Sequence, residues 1–303
     1  MKALVTGGAG FIGSHIVDAL LERGDEVIVL DNLSTGKKEN LNPKATFVQT
    51  DITELAAIQP SFKDVTCVFH CAALPRVQES IQNPIETHNV NITGTLNVFL
   101  AAKQAGVQRV VYSASSSAYG QTDQLPLTEG MVPMPISPYG LHKYVGEHYA
   151  RLFSLLYGMQ TVSLRYFNVY GPRLNFTGAY ALVIGAFLRQ RAAGQPLTIT
   201  GDGTQTRDFT FVLDVVRANL LAATSPKVGK GEVINIGAGD NQSIQTVAQL
   251  ISGPNVHIAP RVEPHDTLAD IRLAKTLLAW EPQVNFADGL RATIEWFERQ
   301  PRQ

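Results

Sequence analysis

Short apolar runs rich in β-branched residues recur along the first half of the chain, and stretches long enough to form a helix separate them. The runs lie at residues 2–6, 27–31, 65–70 and 109–114. This alternation predicts repeated β–α units, and strands so uniformly apolar are typical of a parallel sheet that is covered on both faces. The stretches 12–23 and 91–105 are predicted to be two of the covering helices. The predicted fold class is therefore α/β, with a doubly wound parallel sheet.

The second half of the chain is predicted to return to the same sheet. Two further strand-like runs lie at 161–165 and 232–236, and the stretches between and after them are richer in Pro and Gly and less regular. We therefore expect two domains. The larger one comprises residues 1–168 plus about 208–238, and a smaller, discontinuous C-terminal α/β lobe comprises about 169–207 plus 239–303.

Composition restricts the classes of partner. The 303 residues include 25 basic and 26 acidic ones mixed along the chain, which leaves a net charge of -1 and no sustained field to attract nucleic acid or an anionic membrane. No apolar run approaches the roughly 18 residues that a membrane span needs. Met1 leads directly into a predicted strand without the apolar region of a signal peptide, so we expect a cytoplasmic protein.

The cysteines and histidines do not form a recognisable metal pattern. Cys67 and Cys71 are the two cysteines, four positions apart in an apolar stretch, which predicts buried thiols rather than a disulfide framework. The seven histidines are scattered and include no H-E-x-x-H pair. No metal site is predicted.

A glycine-rich segment, TGGAGFIG at residues 6–13, lies between the first predicted strand and the first predicted helix. Gly7, Gly10 and Gly13 stand where a dinucleotide-binding Rossmann loop requires close backbone approach, and the helix N-terminus would hold the pyrophosphate. Asp31, at the end of the second predicted strand, is placed to bind an adenosine ribose hydroxyl and to repel a 2′-phosphate. This pattern favours NAD over NADP. The alternative is a tight turn that only lets helix and strand pack.

Asp51 and Ile52, at the end of the third predicted strand, are candidates to frame the adenine. A strand-terminal Asp is also a common helix cap, and that alternative stays open.

A tyrosine and a lysine four positions apart form the candidate catalytic pair. Tyr139 and Lys143 open a predicted helix after Ser137-Pro138, so they share one face a turn apart. A nearby ammonium and a cationic nicotinamide would favour the phenolate, which makes Tyr139 a candidate general base. Lys143 would also hold the nicotinamide ribose, and Ser115 would relay the proton. The alternatives are a chance Y-x-x-x-K spacing and a merely polar strand end at 115–117.

Several motifs together resemble the extended short-chain dehydrogenase/reductase family over nearly the whole chain. They are TGGAGFIG at 6–13, DN at 31–32, HCAA at 70–73, SASSSAYG at 113–120, SPYGLHK at 137–143 and RYFNVYGPR at 165–173. Within that family, residues 175–184 and 201–209 are most similar to the 4-epimerases of UDP-hexoses and UDP-N-acetylhexosamines. The resemblance implies NAD bound by the larger domain, a UDP-sugar bound by the smaller one, and a homodimer formed through helices at about 88–105 and 139–157. The alternative for the second helix is burial within the monomer.

The resemblance also assigns site residues. Those implied for the cofactor are Gly7, Gly10, Phe11, Ile12, Gly13, Asp31, Asn32, Asp51, Ile52, Ala72, Ala73, Tyr139 and Lys143. Those implied for the substrate are Ser115, Ser116, Asn168, Leu182, Val183, Phe187, Arg207, Arg261 and Thr267. Phe187 could equally be helix core, and Arg207 or Arg261 could form a surface ion pair.

The two residues after the catalytic serine predict the reaction. Dehydratases of the family carry acids at the positions of Ser116 and Ser117, and decarboxylases carry a Glu at the second of them. Without those acids, reversible oxidation at C4 of the sugar remains, and the cycle is redox-neutral, so NAD can stay bound. The predicted function is C4 epimerisation.

The preferred sugar rests on one position. The family usually reads R-P-G-D-x-x-x-S/Y-x-A-D where this chain has RVEPHDTLAD at 261–270, one residue shorter. When this segment is matched to the family pattern backwards from Ala269-Asp270, Thr267 occupies the position whose bulk limits what fits at C2 of the sugar. Its small size favours UDP-GlcNAc/UDP-GalNAc, with UDP-glucose/UDP-galactose also accepted. One alternative is a UDP-glucuronate 4-epimerase, for which Arg76 is the candidate cation. Another is a non-catalytic dinucleotide-binding regulator, which would typically lack the tyrosine or the lysine.

Overall fold

The computed structural model describes residues 1–176, 182–260 and 264–300. The strands are β1 (Lys2–Thr6), β2 (Glu26–Asp31), β3 (Thr46–Gln49), β4 (Cys67–His70), β5 (Arg109–Ser115), β6 (Gln160–Tyr166), β7 (Leu197–Thr200), β8 (Thr206–Asp208), β9 (Lys230–Ile236), β10 (Asn241–Ser243) and β11 (Asn255–Ile258). The α-helices are α1 (Phe11–Glu22), α2 (Leu55–Ile58), α3 (Val77–Gln82), α4 (Pro84–His88), α5 (Thr95–Gln104), α6 (Pro138–Tyr157), α7 (Val183–Ala192), α8 (Val212–Thr224), α9 (Ile244–Ile251), α10 (Arg272–Leu278) and α11 (Phe286–Glu298).

Seven parallel strands form the central sheet in the order β3-β2-β1-β4-β5-β6-β9. One core cluster packs α1 and α8 onto one face, and a second packs α5 and α6 onto the other. The predicted doubly wound parallel sheet is thus confirmed. Because the strand order reverses between β1 and β4, a crevice opens at the carboxyl ends of the strands, where such folds bind ligands.

A smaller lobe lies beyond the carboxyl edge of this sheet. It contains a parallel pair, β7 with β11, and an antiparallel pair, β8 with β10. Residues of α7, α9 and α11 share a third core cluster with β7. The division into two domains stays a prediction. After β11 the chain leaves the smaller lobe and returns to the large sheet. Ala274, Leu278 and Trp280 pack in the cluster that covers α8 and β9.

The predicted helix over 91–105 is interrupted near its start. Residues Asn89–Gly94 form a π-helical segment, and α5 begins only at Thr95. The buried side chain of Asn91 accepts a hydrogen bond from Leu74 N at 2.8 Å and donates one to Leu74 O at 3.0 Å. This exchange ties the wider turn to the loop after β4.

Both cysteines are free thiols. Cys67 is buried in β4, whereas Cys71 in the following loop is only partly buried and accepts a hydrogen bond from Ser113 Oγ at 3.3 Å. In the ranges given above, no helix combines the length and the apolar character needed to cross a membrane.

Candidate active site

The glycine-rich loop joins β1 to α1 at the crevice. Gly7 adopts a φ of +71°, and a Cβ on Gly13 would overlap the carbonyl oxygen of Gly7, so both positions require glycine. Gly10 caps α1 with backbone only, since no side chain bonds to the first turn. Phe11 and Ile12 turn their side chains into the core, and Phe11 packs against the clusters of both lobes. The helix N-terminus therefore offers amide groups, without a competing side chain, to an anion such as a pyrophosphate.

Asp31 contributes to the shape of this loop. Its buried carboxylate accepts hydrogen bonds from Ala9 N at 3.0 Å and from Leu33 N at 2.8 Å. Burial raises the pKa of Asp31, and the two amide hydrogen bonds oppose that rise. The predicted ribose-binding residue thus also fixes the glycine-rich loop against the end of β2.

The candidate adenine residues lie together past β3. Asn32 Nδ2 donates to Asp51 Oδ2 at 2.7 Å, while Thr53 N donates to Asp51 Oδ1 at 2.8 Å, so Asp51 closes a local turn as well. Ile52 is buried in a core cluster, and its carbonyl accepts from Asn97 Nδ2 at 3.0 Å. A contact of Ile52 with adenine would therefore have to use the backbone.

The loop after β4 lies directly against the glycine-rich loop. A Cβ on Gly7 would stand 2.7 Å from the backbone nitrogen of Ala72, and Ala73 comes next with partial exposure. Below them, buried His70 pairs Nδ1 with Thr6 Oγ1 at 2.7 Å and Nε2 with Thr95 Oγ1 at 3.0 Å. Burial and the nearby Lys143 lower the pKa of His70 to about 3, so this imidazole stays neutral. Sequence reasoning identified His70 only as part of a motif.

The three predicted catalytic residues meet beside this loop. Ser137 caps α6 by accepting from Gly140 N at 3.1 Å, which starts the helix so that Tyr139 and Lys143 share one face. Ser115 is the last residue of β5 and hydrogen-bonds the Tyr139 side chain. Lys143 Nζ is buried and donates to Ser113 O at 2.8 Å. Ser116 is the next residue, in a partly exposed turn.

The groups of the protein itself act on the Tyr139 pKa in opposite directions. Burial raises the pKa of Tyr139, and the hydrogen bond with Ser115 opposes that rise. Burial also lowers the pKa of Lys143 to about 8, although Cys71 and Glu147 act in the opposite direction. The protein groups by themselves therefore favour the neutral phenol, because the Lys143 ammonium binds the Ser113 carbonyl and is itself poorly solvated. Ser115 is the side chain that moves the Tyr139 pKa toward phenolate.

A cavity of about 300 Å³ lies on the smaller-lobe side of the crevice. Its lining brings together five of the predicted substrate residues, which are Asn168, Leu182, Val183, Phe187 and Arg207. This volume falls at the lower end of the range for small-molecule sites, roughly 300–1,000 Å³. Phe187 lines the cavity and is also part of the hydrophobic core, since its side chain belongs to the cluster of the smaller lobe.

The other predicted substrate residues lie outside that lining. Ser115 ends β5 and Ser116 begins the turn after it, and Ser115 is in register with Tyr166 of β6, two residues before Asn168. Thr267 is linked to the cavity through Asn168, whose Nδ2 donates to Thr267 Oγ1 at 3.3 Å. Arg261 lies outside the described residues.

Arg207 and Asn168 are held by backbone groups of neighbouring segments. Arg207 NH1 donates to Thr206 O and to His265 O, both at 2.8 Å. Asn168, at a φ of +25°, donates to Asp208 O at 3.1 Å. Sequence reasoning missed Asp208 itself, whose only signal was its place next to Arg207 in the TRDF motif.

Comparison with known proteins places the whole chain in one group. The model of the NAD dependent epimerase/dehydratase family matches residues 3–237. A putative UDP-glucose 4-epimerase from Methanocaldococcus jannaschii is 41% identical over 99% of both chains. The UDP-glucose 4-epimerase of Thermotoga maritima, solved with UDP-glucose, superposes with a TM-score of 0.94 at 40% identity, over 99% of both chains.

Other relatives carry different substrates in their names. A UDP-N-acetylglucosamine 4-epimerase from Methanobrevibacter ruminantium, in complex with UDP-N-acetylmuramic acid, superposes with a TM-score of 0.93 at 37% identity over 98% of both chains. Decarboxylases of UDP-sugar acids also occur among the relatives, at 34–35% identity. The names therefore agree on nucleotide-sugar chemistry and differ on the sugar and on the reaction.

Proposed function

Since the chain belongs to the NAD-dependent epimerase/dehydratase family, whose cofactor is NAD, we propose that it interconverts the C4 epimers of a UDP-hexose through a 4-keto sugar. The observation that carries the proposal is the Ser115–Tyr139–Lys143 group at the carboxyl edge of the sheet, beside the glycine-rich loop. Because Tyr139 and Lys143 are both present, a non-catalytic regulator is disfavoured.

The residues of the chain have distinct tasks in this proposal. The glycine-rich loop and Lys143 would hold NAD, which would supply reversible hydride transfer at C4 of the sugar. As the phenolate, which a bound cationic nicotinamide would favour, the Tyr139 oxygen takes the C4 hydroxyl proton during oxidation and gives it back during reduction. Ser115 binds that oxygen and opposes the rise in its pKa. Lys143, which has donors besides the one bound to Ser113 O, would hold the nicotinamide ribose.

The surroundings of Ser115 disfavour elimination and decarboxylation. Ser116 and Ser117 stand where those reactions would place acids, and hydroxyl groups of ordinary pKa are poor substitutes for a carboxyl group in acid–base work. The loop after Ser117 carries a carboxylate, Glu129, back towards the sheet. That carboxylate accepts a hydrogen bond from Asn235 N of β9 at 2.9 Å. The proposed reaction needs one proton-transfer group, Tyr139, acting on the C4 hydroxyl oxygen.

For the sugar, we propose that UDP-GlcNAc/UDP-GalNAc and UDP-glucose/UDP-galactose are both accepted. Thr267 is small, and its hydroxyl accepts from Asp208 N at 3.2 Å, so its side chain is drawn towards β8. This supports room beside C2 of the sugar. A UDP-glucuronate 4-epimerase is the second candidate, since a relative of that name, from Bacillus cereus, is 34% identical. Arg76, which would face the uronate, precedes α3 and is partly buried.

An NMR assay of the purified protein tests the reaction. With UDP-GlcNAc or UDP-glucose and no added NAD, we expect the C4 epimer to form, because a redox-neutral cycle retains its cofactor. Tyr139→Phe should lower the rate by about 10²–10⁴-fold. Tyr144→Phe is the matched control and should keep the rate, because Tyr144 lies on the same helix but packs edge-on against His148. If neither sugar turns over even with NAD supplied, the proposal is wrong for these sugars, and UDP-glucuronate becomes the next substrate to assay.

We also propose a homodimer, because α6 has two apolar faces. One is buried within the monomer and includes Ala150 and Phe153. The other leaves Leu155 and Leu156 exposed by 75% and 63%, and α3 and α4, which pack against α6, add exposed Ile81 and Ile85. On the same helix, Val145 is partly buried and Leu152 is exposed. An exposed apolar surface of this kind is typical of a subunit interface.

A further inference from the structure

Asp208, at the end of β8, is a fully buried carboxylate that binds three backbone amides from two remote segments. Its side chain has 0% relative exposure. Oδ1 accepts from Ala238 N at 2.6 Å, and Oδ2 accepts from Gly239 N at 3.1 Å and from Ala269 N at 3.0 Å. Within the described ranges it forms no ion pair. Asp208 therefore joins β8 to the loop after β9 and to the segment before α10.

The backbone of the same residue holds the substrate side of the cavity. Asp208 N donates to Thr267 Oγ1 at 3.2 Å, and Asp208 O accepts from Asn168 Nδ2 at 3.1 Å. Arg207 precedes it and donates to His265 O in the segment that Asp208 binds through Ala269. One residue thus fixes three of the predicted substrate residues relative to one another.

This arrangement requires an ionised carboxylate. All three partners of the side chain are N–H donors, and an ionised carboxylate is a pure acceptor. A protonated Asp208 would carry an O–H group among those donors and would weaken at least one of the three hydrogen bonds.

The ionised form is also costly for the fold. Burial raises the pKa of Asp208 to about 6, although the three amides oppose the rise, and Asp240 adds repulsion. Because this pKa lies above the ordinary value of 3.8, protonation favours the folded state. The contribution of Asp208 to folding stability is therefore present at acid pH and is lost as the pH rises through about 6. A residue retained only for stability would not need this charge.

The charged groups around Asp208 are few. Arg207 belongs to its own strand and points to His265 O. Asp240 lies on the loop after β9, and His265 and Asp266, on the third segment, pair with each other at 2.9 Å. Because His265 is a second ionisable group on a segment that Asp208 binds, a variant at position 208 is needed to separate the two groups.

We propose that Asp208 is a positioning residue whose ionised carboxylate holds Asn168, Arg207 and Thr267 in register for the nucleotide sugar, so that substrate affinity falls when it takes up a proton. This inference rests on the proposed function, because it takes a UDP-sugar as the ligand.

Calorimetric titration of the NAD-bound protein with UDP-glucose between pH 5 and pH 7.5 tests the proposal. Both phosphates of UDP-glucose are esterified, so the charge of the ligand stays constant over this range, and a Tyr139→Phe background prevents turnover. If only the ionised form binds well, the affinity should fall about tenfold from pH 7.5 to pH 5, since roughly a tenth of Asp208 remains ionised there. Asp208→Asn should bind about tenfold more weakly at pH 7.5, with little dependence on pH.

Asp214→Asn is the matched control. Asp214 is also buried and accepts from Gln283 N and Val284 N, both at 3.0 Å, but it lies on α8 and contacts none of Asn168, Arg207 and Thr267 in the hydrogen bonds described above. Its variant should keep the affinity and the pH dependence of the parent protein.

Two results would overturn the inference while leaving the proposed function intact. One is an affinity of the parent protein that stays constant from pH 5 to pH 7.5. This measurement does not depend on whether the Asp208→Asn variant folds. The other is an Asp208→Asn protein that keeps the parent's affinity and pH dependence, as it would if His265 were responsible. Failure of the parent protein to bind UDP-glucose, UDP-GlcNAc or UDP-glucuronate at any pH would instead overturn the proposed substrate class, and the inference with it.

Discussion

The glycines of the dinucleotide loop differ in what each position requires. Gly7 needs a left-handed backbone, whereas Gly13 sits in α1 where a Cβ would overlap the Gly7 carbonyl oxygen. Gly130, in the loop before α6, has an ordinary φ and open space where a Cβ would stand. The same residue type is therefore constrained in the first loop and unconstrained in the second.

Gly13→Ala should abolish cofactor retention. The added methyl group has to displace the Gly7 backbone, which costs about 1–3 kcal/mol of stability and distorts the pyrophosphate site. We expect the purified variant to contain little bound NAD, measured by absorbance of the supernatant after denaturation, and to unfold at lower urea concentration. Gly130→Ala should behave like the parent protein. A Gly13→Ala protein with one NAD per chain would contradict the proposed role of this loop.

At the scale of single residues, the sequence predicts chemistry that depends on local spacing. The glycine-rich loop and the Tyr139–Lys143 pair could be found because their partners are a few residues away. Asp208 could not, because its partners lie 30, 31 and 61 residues further along the chain. The burial that raises the Tyr139 pKa could not be predicted either, since burial is a property of the folded chain.

Helix α6 combines the proposed catalytic face with a structural anchor. Tyr139, Lys143 and Glu147 succeed one another at intervals of four, which places them on one face. Glu147 forms a bidentate, buried ion pair with Arg165 of β6, with Arg165 Nε and NH2 at 2.8 and 2.7 Å from its two carboxylate oxygens. The Arg165 guanidinium also lies 4.5 Å from the ring centre of Tyr119. The pair fixes the helix against the strand that leads to Asn168.

Glu147→Ala should lower the free energy of unfolding by about 3–5 kcal/mol, because it leaves Arg165 buried without its counter-ion. The double variant Glu147→Met with Arg165→Met removes both charges and should recover much of this loss. Urea unfolding followed by tryptophan fluorescence measures both values. A single variant that loses less than about 1 kcal/mol would show that water or neighbouring groups compensate the arginine.

Helices and strands were predicted well where the hydrophobic periodicity of the sequence was strong. They were predicted less well where tertiary contacts determine the local backbone. The strand predicted over 109–114 could be placed because Val110, Val111 and Tyr112 form a β-prone run, and the structure extends it by one residue to Ser115. The π-helical segment at Asn89–Gly94 could not, because it depends on the bonds between Asn91 and Leu74.

For the whole molecule, the exposed apolar face of α6 determines the expected assembly. Leu155→Glu together with Leu156→Glu places two charges on that face and should convert the proposed dimer to a monomer in sedimentation equilibrium. Val132→Glu is the control, since Val132 is an equally exposed apolar side chain in the loop before α6, at 78% exposure. If the parent protein itself sediments as a monomer, the homodimer proposal is wrong.

The return of the chain from the smaller lobe has a consequence for its synthesis. Trp280, whose Nε1 donates to Asp214 O at 2.9 Å, fills the cluster over α8 and β9 from a position more than forty residues after β9 ends. At about 5–20 residues per second, a ribosome needs roughly 2–8 s to deliver that stretch. During those seconds all seven strands of the large sheet have been made, but the apolar surface of α8 and β9 that Trp280 later buries is still exposed to solvent. Until the segment around Trp280 emerges, the newly made chain therefore exposes an apolar patch that favours aggregation.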